Sequence, residues 1–181
     1  LSIRRQRQMC IRDRYKYVMK RKLFFICFLS IVCVVSMAQN ITKFYFAGYR
    51  VVVIPSEEFR IDVKHPELGE KKIKGNALSL KLIDAEGKMP KDTVIVYTNA
   101  IREIRMDYSI LAMEKAFTVD SLNITLGSSH GAIAVDANYL NISLNAASNL
   151  VVAGKCKKLR TRTNGKGNAL NLDSFLVESR E

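Results

Sequence analysis

Four stretches in the second half of the chain can be laid over one another: REIRMDYS, SLNITLGS, YLNISLNA and KKLRTRTN. Their first apolar position falls at Ile104, Leu122, Leu140 and Leu159, the next at Met106, Ile124, Ile142 and Thr161, and a third at Tyr108, Leu126, Leu144 and Thr163. A second alternating segment gives Phe117, Ile133, Leu150 and Leu170, then Val119, Val135, Val152 and Leu172. A repeat of 16 to 20 residues with two strands per unit narrows the folds open to the chain, because a unit that short cannot bury its inward side chains alone. Stacked units pair strand on strand about 4.8 Å apart and align Leu, Ile and Val into internal ladders. The expected fold is all-β: a parallel β-helix, or β-solenoid, with coils of about 18 residues. Its bends need small residues, supplied by Gly127, Ser128, Ala146, Ala147, Gly165 and Gly167. An antiparallel sandwich is the competing architecture, and it predicts hairpins that reverse direction where the aligned units repeat.

The residues ahead of the repeats read as strands too. Period-two alternation runs through VVVIP, FRIDVKH, ALSLKLID and DTVIVY, separated by the turn-forming HPELG and DAEGK, and NGKGN plays the same part within the repeats. Ser109 to Ala116, SILAMEKA, has helix-forming residues without Gly or Pro flanks and is read as a loop or bend.

The net charge of +12 invites a nucleic-acid reading that its distribution removes. Residues 1–18 carry six positive and one negative charge, 19–38 three positive and none negative, and 39–181 twenty positive and sixteen negative. From Met19 the chain has a short positive start (Lys20, Arg21, Lys22), an apolar run from Leu23 to Val35 and the small-residue signature Ser36-Met37-Ala38. This is the pattern of a secretory signal peptide, with cleavage expected between Ala38 and Gln39; the apolar run is shorter than the roughly 20 residues that span a bilayer. Upstream of it, QMCIRDR (Gln8 to Arg14) resembles the translation of a transposon end used as a sequencing adapter. Residues 1–18 are therefore expected to be non-native, 19–38 the signal and 39–181 the solenoid domain. At the other end SFLVESRE is too short for a capping unit, so the domain is expected to continue beyond Glu181 and, ending there, to associate end to end.

Three segments carry a family resemblance: NALSLKLIDAEGK, DTVIVYTNAIREIRM and the repeated form LNISLNAASNLVVAG. With the signal-like segment they make the region from Phe46 to Glu178 similar to the auto-transporter adhesin head GIN domain family of exported bacterial proteins. The resemblance implies a right-handed parallel β-helix and, by analogy alone, a role in adhesion at the cell surface. YSILAMEKA departs from the family at the first unit, where a Gly-Ala-Ser bend is usual.

Chemistry is sparse. Cys10, Cys27 and Cys33 fall before Gln39, which leaves Cys156 as the single thiol of the domain, without disulfide or zinc spacing. His65 and His130 sit in the turn-like contexts HPELG and SSHGA and are read as solvated loop positions. A polysaccharide-active β-helix is the enzymatic alternative, but its carboxylates must converge on one face, and Asp107, Asp120, Asp136 and Asp173 do not fall at one register position. No catalytic residue, metal or cofactor is assigned. The triplets at Asn40, Asn123 and Asn141 arise from strand alternation and no glycans are expected.

The most distinctive feature is KCKKLRTRTNGKG. With Leu159, Thr161 and Thr163 inward, Lys158, Arg160 and Arg162 point outward about 6.6–7 Å apart, and Lys155, Lys157 and Lys166 add to the patch. No acid interrupts it. A solubilising strand face explains such a row; contact with an acidic glycan or another envelope polyanion is the functional reading. Nucleic acid is not expected as a partner, and the membrane enters only through the export signal. The expected protein is thus an exported, non-enzymatic solenoid of the periplasm, outer-membrane surface or extracellular space that binds or builds surface structure, with self-assembly into an envelope component as a further alternative.

Overall fold

The computed structural model describes residues 41–83, 90, 92–113 and 115–180. The chain divides into two units, Leu1–Gln39 and Asn40–Glu181, and the described residues all belong to the second. The upstream stretch 1–18, the signal 19–38, the Ala38–Gln39 cleavage point and the DAEGK turn lie outside the described residues.

Strand covers 73% of the described residues, and the only helix among them is one 3-10 turn at Pro66–Leu68. The strands are β1 (Lys43–Ala47), β2 (Tyr49–Ile54), β3 (Arg60–Val63), β4 (Gly69–Lys74), β5 (Ala77–Leu82), β6 (Asp92–Tyr97), β7 (Glu103–Asp107), β8 (Ile110–Ala112), β9 (Phe117–Gly127), β10 (His130–Asn145), β11 (Asn149–Asn164) and β12 (Ala169–Arg180). They join into a single curled sheet. Only β3 on β6 and β4 on β5 pair antiparallel; every other pairing is parallel.

The parallel pairs form two runs. In one, β5, β1, β7 and the second halves of β9, β10 and β11 lie side by side. In the other, β6, β2, β8, the first halves of β10 and β11, and β12 do so. The opening strands therefore sit inside the stack: β1 pairs with β5 on one side and β7 on the other, and β2 with β6 and β8. Alternation in the sequence becomes continuous apolar ladders. Leu78, Phe44, Ile104, Ile124 and Ile142 are in register and at most 1% exposed, and Leu80, Phe46, Met106, Leu126 and Leu144 run beside them. Each such side chain contributes about 1.5–3 kcal/mol by leaving water.

A buried column of hydroxyls sets the register at the bends. The Ser109 N–H donates to Ser129 Oγ at 3.0 Å, the Ser129 N–H to Ser148 Oγ at 3.3 Å, and the Ser148 N–H to Asn168 Oδ1 at 2.9 Å. Ser109 Oγ in turn accepts from the Gly48 N–H at 3.0 Å. Two residues after each member stand Leu111, Gly131, Leu150 and Leu170, which are in register with one another. Left-handed backbone at Tyr108 (φ 50), Ser128 (φ 47), Ala146 (φ 52) and Ala147 (φ 58) turns the chain into these bends.

This column corrects three expectations. Ile104 and Met106 pair with Ile124 and Leu126, two residues beyond the alignment drawn from sequence, because Tyr108 is a bend residue and not an inward one. Ile133 pairs with Val152, and the partner of Leu150 is Gly131. That glycine reads as a bend residue, yet it lies in an apolar ladder where an added Cβ would sit 3.0 Å from Leu150 Cδ1 and 3.2 Å from Leu111 Cβ. SILAMEKA is also more ordered than a loop, since Ile110–Ala112 is a strand held between β2 and β10. Leu122, Leu140 and Leu159 are in register as expected, 18 and 19 residues apart.

Candidate functional site on the outward strand face

Residues alternating with the first set of ladders point outward and stack in rows across the strands. One row reads Lys43, Glu103, Asn123, Asn141, Arg160, and the next Tyr45, Arg105, Thr125, Ser143, Arg162. At the β1–β7 end the charges neutralise one another: Glu103 meets Lys43 at 3.4 Å and Arg105 at 2.7 Å, and the Arg105 guanidinium lies 5.1 Å from the Tyr45 ring centroid. The middle is neutral and amide-rich. Asn141 Nδ2 donates to Asn123 Oδ1 at 3.1 Å, and Asn164 Nδ2 to Asn145 Oδ1 at 3.0 Å. In-register side-chain amides bond to the strand next door while leaving a second donor and acceptor facing out.

The far end is basic. Lys158, Arg160 and Arg162 are all exposed on β11, and their neighbours on β10 are Tyr139, Asn141 and Ser143, none of them acidic. The other residues expected in the patch lie elsewhere. Lys155 belongs to the second run of strands between Asp136 and Leu176, Lys157 sits at the corner where β11 passes from one run to the other, and Lys166 lies in the bend after Asn164. Thr161 and Thr163 are in register with the buried Ile142 and Leu144 but are themselves exposed, because the pairing of β12 with β11 ends at Leu159.

The acids do not converge. Asp136 lies opposite Thr118 and Lys155, Asp120 accepts a hydrogen bond from Asn138 at 2.6 Å, and Asp173 from Asn171 at 2.9 Å. Burial raises the Asp107 carboxyl, with Arg105 opposing the rise. Among the described residues no three His, Cys, Asp or Glu side chains gather as a metal-ligand set. Cys156 is buried, and burial together with Glu178 raises its thiol pKa away from the reactive thiolate. His65 departs from the solvated-loop reading: its ring Nδ1 lies 3.0 Å from Asp92 Oδ1. Period-two patterning offers no signal for that pair, which joins HPELG to a strand 27 residues on.

Compared with known proteins, residues 44–178 match the model of the family described as putative auto-transporter adhesin, head GIN domain. The chain belongs to this family. The GIN domain is similar to the crystal structure of a putative adhesin from Parabacteroides merdae at 16% identity and a TM-score of 0.60, over 78% of this chain and 72% of that one; the likeness is one of fold. A second structure, a putative adhesin from Bacteroides fragilis, aligns at 10% identity and a TM-score of 0.43, over 80% of this chain and 94% of that one. No curated protein matches the chain. The resemblance drawn from Phe46 to Glu178 thus coincides closely with the matched GIN region.

Proposed function

We propose that this GIN domain is an exported, non-enzymatic β-solenoid that contacts acidic glycan at the cell envelope through the row Lys158, Arg160 and Arg162. The solenoid reading, a right-handed parallel β-helix with coils near 18 residues, is supported by parallel pairs such as Leu122–Leu140 and Leu140–Leu159, and by family membership. Export, to the periplasm, the outer-membrane surface or outside the cell, is a reading supported by the signal-like segment from Met19 to Ala38. The observation that carries the binding role is the composition of the strand face: the β10 residues in register with Lys158, Arg160 and Arg162 are Tyr139, Asn141 and Ser143, none of them acidic. Like charges held in one row on a rigid strand attract a polyanion at long range without a built pocket.

The test is binding of residues 39–181 to immobilised acidic glycans across a salt series. Replacing Lys158, Arg160 and Arg162 together by Ser should weaken binding and flatten its salt dependence, since exposed charges act through screened attraction, while the melting temperature stays close to the parent's. Binding that is unchanged by the triple substitution, or indifferent to salt, would return the row to a solubilising face.

A further inference from the structure

Tyr139 is the one exposed aromatic residue among those described, with 52% of its surface open to solvent. It stands on β10 at the corner where two consecutive residues, Asn138 and Tyr139, turn away from the core between the inward Ala137 and Leu140. Its register partners are Ser121 on one side and Lys158 on the other. The Lys158 ammonium lies over the ring, 5.7 Å from its centroid, and engages one face in a cation–π contact, while Ser121 on the other side is too small to cover a phenol ring. The ring borders a hollow of about 210 Å³ walled by Ser121, Asn123, Asn141, Lys158 and Arg160.

From this arrangement we infer that Tyr139, the Asn123–Asn141 amide pair and Arg160 form a subsite for one pyranose ring of an anionic oligosaccharide. The inference rests on the acidic-glycan reading above and adds the residues that would distinguish sugar from bare charge. An aromatic ring carries a negative π-face, which attracts the weakly positive C–H face of a pyranose. The amide pair uses one donor and one acceptor internally, so three N–H groups and the remaining carbonyl lone pairs are left for sugar hydroxyls. Arg160 is in register with Asn141 and makes no ion pair among the described residues, which leaves its planar fork for a carboxylate or sulfate on the same ring. Ring, amide and guanidinium succeed one another across neighbouring positions of β10 and β11, at spacings of about 5–7 Å set by the strand lattice.

The experiment compares two probes by titration calorimetry: a galacturonic-acid oligomer, and inorganic polyphosphate of matched charge, which has no sugar ring. Tyr139→Ala should weaken oligomer binding roughly tenfold or more and leave polyphosphate binding unchanged. Tyr139→Phe, which keeps the ring, should bind the oligomer like the parent. The Lys158, Arg160, Arg162 triple variant should lose both. Because Tyr139 is exposed, unchanged thermal melting of Tyr139→Ala is expected and is checked alongside. Equal effects of Tyr139→Ala on both probes, or no effect on either, would overturn the subsite while leaving the basic row standing. If the parent bound neither probe, the acidic-glycan reading and the subsite would fall together.

Discussion

The imidazole Nδ1 of His65 lies 3.0 Å from Asp92 Oδ1, and the Asp92 side chain is 2% exposed where β6 begins. Burial by itself would raise the Asp92 carboxyl. The hydrogen bonds from the His65 ring and from the Thr93 and His65 N–H groups outweigh it and hold the carboxyl below its ordinary value. A carboxylate whose folded pKa is depressed stabilises the fold at all pH values above its unfolded pKa of about 3.9. That contribution is lost as pH falls through the lower, folded value. Asp92→Asn should therefore be less stable than the parent at neutral pH and lose less further stability on acidification below about pH 4. Urea denaturation at neutral and acid pH measures both quantities. A variant with the parent's full acid slope would assign the acid sensitivity to other carboxylates.

Ser129 tests the hydroxyl column. Ser129→Ala removes the acceptor of the buried Ser109 N–H and should cost about 1–3 kcal/mol. Ser128→Ala at the adjoining bend position, whose side chain makes no such bond, should stay within about 0.5 kcal/mol. Equal urea midpoints for the two variants would show that the column aligns the bends without stabilising them.

The ladders make a sharper demand. Ile142 is fully buried while Ser143 faces outward, so Ile142→Asp places a charge without a partner in the core, at a cost of several kcal/mol. Ser143→Asp should change stability by about 0.5 kcal/mol or less. Circular dichroism of the purified variants separates an unfolded chain from an intact one, and comparable damage at both sites would contradict the alternation.

Processing is open to a direct measurement. Expressed from Met19 in a bacterium, the protein should be recovered outside the cytoplasm with Gln39 as its first residue, as the positive start, apolar run and Ser36-Met37-Ala38 signature require. Intact mass of the recovered form reads the terminus. A retained, uncleaved chain would sink the signal-peptide assignment.

How much of this was legible in the sequence varies with the range of the interaction. Alternation is local, so the strands and the inward Leu122, Leu140 and Leu159 could be read from their own neighbours. The phase between units was not local. It depends on the connecting segments: Leu111 and Phe117 stand six positions apart where their partners Gly131 and Val135 stand four apart, and at the bends Ser109 and Ser129 follow their last inward residue, Met106 and Leu126, by three positions while Ser148 follows Leu144 by four. The additional left-handed residue Ala147 takes up the difference, and no hydropathy pattern records it. Gly131 hid for another reason: a ladder position filled by glycine looks like a turn. On the outer face, the charges of Lys158, Arg160 and Arg162 stood out as a run, whereas Tyr139, Asn123 and Asn141 come together only through the pairing of β9 with β10. Lys155 and Lys157 show the converse, being close in sequence to the row but turned onto another surface.

The position of β1 between β5 and β7 has a kinetic consequence. Phe44 must meet Leu78 on one side and Ile104 on the other, so β1 finds neither partner until β5 and β7 have left the ribosome. Closing those long loops costs chain entropy before any ladder contact returns it, and a topology built on distant pairings folds slowly. Once β7 is in place beside β1, the parallel pairings of β9, β10, β11 and β12 each have a formed edge to add to.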